Sequence, residues 1–277
     1  MKNTQEINLK ALNRDLIFII FGYVCLYFYK MHEPSYSSPM LMSGAVAILL
    51  IIIHIFSTSE KENKNIYENR KAIIPFIAIY VLLLTVIFTF NTLLKLNNLT
   101  VHNFDRSYII LLEVCISLAI FICHIFKIGL KNFNWNMSIK FFTLVIILCI
   151  VYGLILNYNR IFDYTSYTRN IFNIAFILDF IIKTIRMSLY PGFFEEVLFR
   201  GFLISGLKGF GLSDDRCNVF QAIIFGVGHV MSWGMPSWIF LLAMTWQSML
   251  GYVLGKLYFK TNSLLPCILF HGFLNAI

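Results

Sequence analysis

The sequence predicts an all-α protein, a polytopic transmembrane helical bundle of about eight or nine spans. Three observations predict it. Of the 277 residues, 58% are hydrophobic and only 13% are charged, and the mean hydropathy is +0.75. Apolar runs of roughly 15 to 20 residues recur along the whole chain, which soluble domains do not carry. No polar stretch beside them is long enough to form a soluble domain.

The segments follow in order. A polar N-terminus through Asp15 enters the first span, Leu16–Tyr29. No small-residue cleavage site follows it, so it reads as a retained span rather than a signal peptide. Met40–Phe56 is the second span, and Ser57–Lys71 is a connector carrying both signs of charge. Ala72–Leu93 is the third, and Pro75 near its start is tolerated there. Tyr108–Phe126 is the fourth and Phe141–Leu156 the fifth. Ile171–Met187 is apolar but carries Asp179, Lys183 and Arg186 within roughly 60° of a helical wheel. That pattern fits an amphipathic surface helix better than a span. Ser188–Leu207 is the sixth, Cys217–Met231 the seventh, Trp238–Gly255 the eighth and Ser263–Ile277 the ninth. The last is short of the roughly 20 residues a span needs. Either the chain is truncated there or this helix is held within the bundle.

The chain divides by content into residues 1–170, hydrophobic helices without a motif, and residues 171–277, which carry every candidate for chemistry. The net charge of +8 belongs to the loops. With the N-terminus inside, fourteen lysines and arginines fall on inner segments and seven on outer ones. This bias predicts a multi-pass protein of the cell membrane with a cytoplasmic N-terminus, and membrane lipids as its surroundings. No aromatic-basic groove is visible, so nucleic acid is not an expected partner. Cys25, Cys115, Cys123, Cys149, Cys217 and Cys267 are scattered without a C-x-x-C pair. They read as small apolar side chains, not as a disulfide frame or zinc site.

One stretch stands out, Pro191-Gly-Phe-Phe-Glu-Glu-Val-Leu-Phe-Arg-Gly201. A charged side chain at bilayer depth costs roughly 2.5–3.5 kcal/mol, so such groups pair, face a wet cavity or carry chemistry. Glu196 and Arg200 are four apart and share a helix face, so they can pair. Glu195 is turned about 100° away and left free. Glu195 lies 13 residues before Lys208, His229 lies 13 after Arg216, and His271 lies 11 after Lys260. All three are therefore roughly 16–20 Å from the inner charged rim. Three helices deliver ionisable groups to one level. His271 and Asn275 share a face, as do Phe225 and His229. By contrast, His54 and His124 sit near helix ends with no polar partner at helical spacing, and read as packing residues. His32 and His102 are loop residues without an evident role.

At these residues the sequence resembles a known family. Glu195-Glu-Val-Leu-Phe-Arg200 matches EExxxR, Phe225-Gly-Val-Gly-His229 matches FxxxH, and His271-Gly-Phe-Leu-Asn275 matches HxxxN. The ordered set resembles the CPBP group of intramembrane proteases, which includes the type II CAAX prenyl endopeptidases and the bacterial Abi and bacteriocin-immunity proteins. The resemblance covers roughly Ser188 to Ile277. It implies that Glu195 is a general base activating water with His229 assisting, that Glu196, Arg200 and Phe225 support the site, and that His271 and Asn275 stabilise the oxyanion. The chemistry agrees, since peptide hydrolysis needs a base beside a water and donors aimed at the developing charge. The resemblance further implies a membrane-bound or lipidated peptide as substrate.

No cofactor is expected on this reading. The competing mechanism is zinc held by Glu195, His229 and His271, one carboxylate and two imidazoles. The HExxH motif is absent, and Asn275 beside His271 suits an oxyanion site better than a zinc shell. Two other classes compete with an endopeptidase: a non-catalytic immunity or scaffold protein of the same fold, and a proton-linked transporter, which also buries carboxylates and histidines. No paired, broken spans in matching halves favour the transporter. Trp233, Trp238 and Trp246 offer an apolar wall to a substrate, although aromatic belts explain them as well.

Overall fold

The computed structural model describes residues 9–32, 38–56, 66–96, 117–118, 120–156, 174–232 and 238–277. Among these residues every regular element is a helix. They are α1 (Leu9–His32), α2 (Pro39–Ile55), α3 (Ile73–Leu96), a short α4 over residues 120–126, α5 (Ile139–Leu156) and α6 (Ile174–Met187). After these come α7 (residues 193–209), α8 (Asp214–Ser232), α9 (Trp238–Thr261) and α10 (Leu264–Ala276). The fourth expected segment, Tyr108–Phe126, lies partly outside the described residues.

Two boundaries differ from expectation. The break before the Glu-Glu stretch falls at Tyr190 (φ −154°, ψ 123°), not between Met187 and Ser188. Pro191 explains the position. Proline lacks the N–H and pushes the residue before it into extended backbone. The helix then restarts, and its turns widen to the π type over Val197–Leu203. The eighth segment runs on to Thr261, so Lys256 and Lys260 ride on α9 instead of following it.

Among the described residues one helix, across Arg70–Thr89, is long and apolar enough to cross a membrane by length and composition. Pro39–Ile55, Ile139–Ile155 and Leu264–Ala276 are apolar but shorter. Helix length thus marks one span where eight or nine were expected, and the all-α bundle is the part the structure bears out. The outer faces are apolar too. Ile17, Phe21, Ile55, Ile77, Val81 and Ile150 are exposed while Leu26, Val46, Leu49, Leu144 and Leu257 are buried. A helix that is apolar all round suits lipid surroundings.

Helices α8 and α9 form the tightest pair, and α1 and α2 pack on α9. Helix α3 lies against α7 and α8, while α10 lies against α5, α6 and α9. One apolar core unites the motif-free and motif-bearing parts, from Leu26 and Val46 to Phe225 and Val253. Cys25, Cys123, Cys149, Cys217 and Cys267 are free thiols, as expected, and Cys115 lies outside the described residues.

A polar lattice ties the helix ends on one side. Asp15, 2% exposed, accepts from His54 Nε2 at 2.6 Å and from the Tyr252 hydroxyl. Lys256 Nζ reaches Asp15 at 3.0 Å and Asp215 at 2.9 Å, and Arg14 reaches Asp215 at 2.6 Å. Lys208 bridges Asp214 at 2.8 Å and Glu68 at 3.4 Å. His54 is therefore not a bare packing residue. Its partner is 39 positions away, where helical spacing gives no signal. Burial raises the Asp15 carboxyl, but its bonds from His54 and Tyr252 and the nearby Lys256 outweigh that and hold it below its ordinary value. Lys208 is pushed up, first by its bond to Asp214. The inner-rim charges expected from the loop bias thus meet one another at one end of the bundle.

Candidate active site

The restart of the helix after Pro191 places Glu195 and Glu196 in the first turn of α7. Glu196 is fully buried, with 0% exposure, and so is Arg200. Arg200 Nη1 donates to Glu196 Oε1 at 2.9 Å, and Nη2 donates to the Gly251 carbonyl at 2.8 Å. The guanidinium also lies 5.0 Å from the centre of the Phe225 ring. A carboxylate, a carbonyl and a π face together hold a cation that would otherwise be costly at this depth. The expected i, i+4 pair forms, and Phe225 supports it.

Glu196 does more than pair with Arg200. The same Oε1 accepts from His271 Nδ1 at 2.6 Å. A carboxylate only accepts, so Nδ1 carries the hydrogen and Nε2 is the atom that faces the site. Close packing makes this contact possible. A side chain on Gly272 would run into the backbone of Ser188, so a bare glycine lets α10 lie against the break before Pro191. His229 is oriented in a parallel way. Its Nδ1 is 2.9 Å from the Phe225 carbonyl, which also only accepts. Both rings are thus anchored through Nδ1 and present Nε2.

Both Nε2 atoms face the same oxygen. His229 Nε2 is 3.8 Å and His271 Nε2 is 3.7 Å from Glu195 Oε2. Among the described residues that oxygen has no hydrogen-bond partner. The convergence expected from rim distances is therefore realised as side-chain geometry. Asn275, one turn beyond His271, is exposed, and no described contact ties it to Glu195.

A cavity of about 150 Å³ opens beside Glu195 and His229. Its wall includes Tyr80, Leu83, Leu84 and Ile87 of α3, with Tyr190, Pro191 and Phe194 at the helix break. Of the tryptophans singled out in the sequence, Trp246 is absent from this wall and the Trp238 side chain lies outside the described residues. Trp246 packs on the core, and Trp233 lies outside the described residues. Tyr80 is the residue that sequence reasoning missed. Its hydroxyl donates to the Ile224 carbonyl at 2.9 Å, one turn from His229, and its ring stacks on Phe76. The single tyrosine in an otherwise aliphatic and phenylalanine-rich α3 was the available signal.

Zinc can be tested against the geometry. Two donors on one tetrahedral zinc stand about 3.4 Å apart, from bond lengths of about 2.1 Å. The separations of 3.7 and 3.8 Å are wider. Among the described residues no group of three or more His, Cys, Asp or Glu side chains is placed to hold a metal ion. Glu195 Oε2 thus stands slightly farther from each imidazole Nε2 than two ligands of one tetrahedral zinc would.

Residues 177–277 match the family model of the type II CAAX prenyl endopeptidase Rce1-like proteins. This region belongs to the CAAX protease family. The match contains Glu195, Glu196, Arg200, Phe225, His229, His271 and Asn275, and supports a membrane-embedded hydrolase of the protease class. No curated protein and no solved structure matches the chain. The CAAX-protease region begins within α6, and its site borrows Tyr80 and the α3 wall from outside the match.

Proposed function

We propose that this chain is an intramembrane endopeptidase of the cell membrane, hydrolysing a peptide bond in a membrane-associated or lipidated substrate. The observation that carries the reading is Glu195 Oε2, without a hydrogen bond among the described residues and faced by two imidazole Nε2 atoms at 3.8 and 3.7 Å. Gaps of that size suit one bridging water, about 3 Å from each group. Glu195 takes a proton from that water, with His229 orienting it. The resulting hydroxide oxygen bonds to the carbonyl carbon. Glu195 then returns the proton to the leaving amine as the C–N bond breaks.

The oxyanion falls to His271 and Asn275. For His271 to donate from Nε2 while Nδ1–H stays on Glu196, the ring must carry both protons. Glu196, at 2.6 Å, is the counter-charge that permits this. Asn275 is exposed, which leaves its amide open to an incoming substrate. No cofactor takes part in this scheme. The description of the matched family, a prenyl endopeptidase, favours a prenylated peptide among the possible lipidated substrates.

The test is cleavage of a tagged transmembrane or prenylated peptide by the purified protein beside its Glu195→Ala form. Fragments released by the first and not the second support the reading. Absence of cleavage together with full biological function in Glu195→Ala would support a non-catalytic scaffold of the same fold.

A further inference from the structure

A second concavity, of about 580 Å³, lies between α1, α8 and α9. Helix α9 provides its floor, including Ser248 and Met249, and both α8 and α1 pack on that helix. Ile17 and Phe21 of α1 and Phe220 and Ile223 of α8 are exposed along its walls. From Arg14 to Gly22, and from Asp215 to Ile223, each wall covers about 12 Å of helix. That is close to the depth of one leaflet, given a hydrocarbon core of about 30 Å. The furrow begins at the charged rim and runs down into apolar surroundings.

Its mouth is positive. Asp215 is already engaged by Arg14 at 2.6 Å and Lys256 at 2.9 Å. The next residue, Arg216, is exposed, lines the furrow and makes no ion pair among the described residues. Below the rim the side chains are mainly apolar, among them Ile17, Phe21, Val219 and Ile223. A cation at the mouth and apolar walls one leaflet deep match the order of phosphate and acyl chain in a phospholipid.

We propose that the furrow between α1, α8 and α9 binds an anionic phospholipid, with its phosphate on Arg216 and one acyl chain along the walls. The site is separate from the cavity at Glu195 and stands independently of the cleavage reading. Two of its three helices lie in the CAAX-protease region, and α1 lies outside it.

The experiment uses the purified full-length chain, delipidated in neutral detergent. It is titrated with dioleoyl phosphatidylglycerol, with dioleoyl phosphatidylcholine and with inorganic phosphate. Lipid retention by native mass spectrometry and melting temperature are read together. Phosphatidylglycerol is expected to bind and stabilise, phosphatidylcholine to bind more weakly, and phosphate alone to do neither. Arg216→Gln is expected to weaken phosphatidylglycerol binding about fivefold, the contribution of one basic residue at an anionic surface. Ile223→Trp fills the furrow and is expected to abolish retention; if it does not fold, Arg216→Glu must weaken binding beyond Arg216→Gln. Equal retention of the two lipids, protection by phosphate alone, or undiminished binding in the folded variants overturns the proposal.

Discussion

Replacing Glu196 by glutamine keeps the volume of the side chain and removes its charge. Glu196 Oε1 serves Arg200 at 2.9 Å and His271 at 2.6 Å, and neither Glu196 nor Arg200 has any exposure. The variant strands a buried guanidinium beside one carbonyl and one aromatic ring. Breaking a buried pair from one side costs roughly 3–5 kcal/mol, a large part of the roughly 5–15 kcal/mol that holds a folded domain. At roughly 2–4 °C per kcal/mol for a chain of this size class, the melting temperature should fall by about 6–20 °C. Glu195→Gln, by contrast, touches a partly exposed carboxylate whose Oε2 makes no hydrogen bond among the described residues, and should move it by only a few degrees. The assay is thermal unfolding of the two variants and wild type in the same detergent. Adding Arg200→Met to Glu196→Gln should recover part of the loss, because the stranded charge is gone. Equal melting temperatures for Glu195→Gln and Glu196→Gln would refute the division of labour between the two carboxylates.

Activity should survive exhaustive chelation, with far less than one equivalent of zinc by metal analysis, and His271→Ala should keep measurable activity after a loss of about 10²–10³ in rate; stoichiometric zinc with rescue of apo protein by added zinc would defeat the glutamate mechanism. Asp15→Asn should lower thermal stability at neutral pH. Because the native carboxyl is held below its ordinary value, the stabilisation it provides is present above that value and lost as pH falls through the native one. The gap between wild type and Asp15→Asn should therefore be constant above about pH 5 and shrink on further acidification, and a gap that widened instead would contradict the lattice at the rim.

Most helices were legible because apolar runs and their flanking charges mark them. Pro191 marked the break, and the physical rule for the residue before proline would have placed it at Tyr190. The Glu196–Arg200 pair followed from i, i+4 spacing, and the meeting of Glu195, His229 and His271 from their distances to charged ends. What stayed hidden joins distant segments. Glu196 and His271 are 75 positions apart, and Asp15 and Tyr252 are 237 apart. No periodicity within one helix encodes such contacts. For the same reason His54 read as packing, and Tyr80, in the part of the chain without a motif, was marked only by being the single tyrosine of α3. That the Oε2 of Glu195 makes no hydrogen bond among the described residues is likewise a tertiary fact, since it depends on which face of α7 meets α8 and α10.

The turnover of Glu195→Gln tests the central claim most directly. The glutamine keeps the shape of the site and cannot take a proton from water. With purified protein and a cleavable membrane peptide, kcat should fall by about 10²–10⁴, the contribution of a positioned general base, while KM and melting temperature stay near wild type. A kcat within about tenfold of wild type would remove Glu195 from the chemistry.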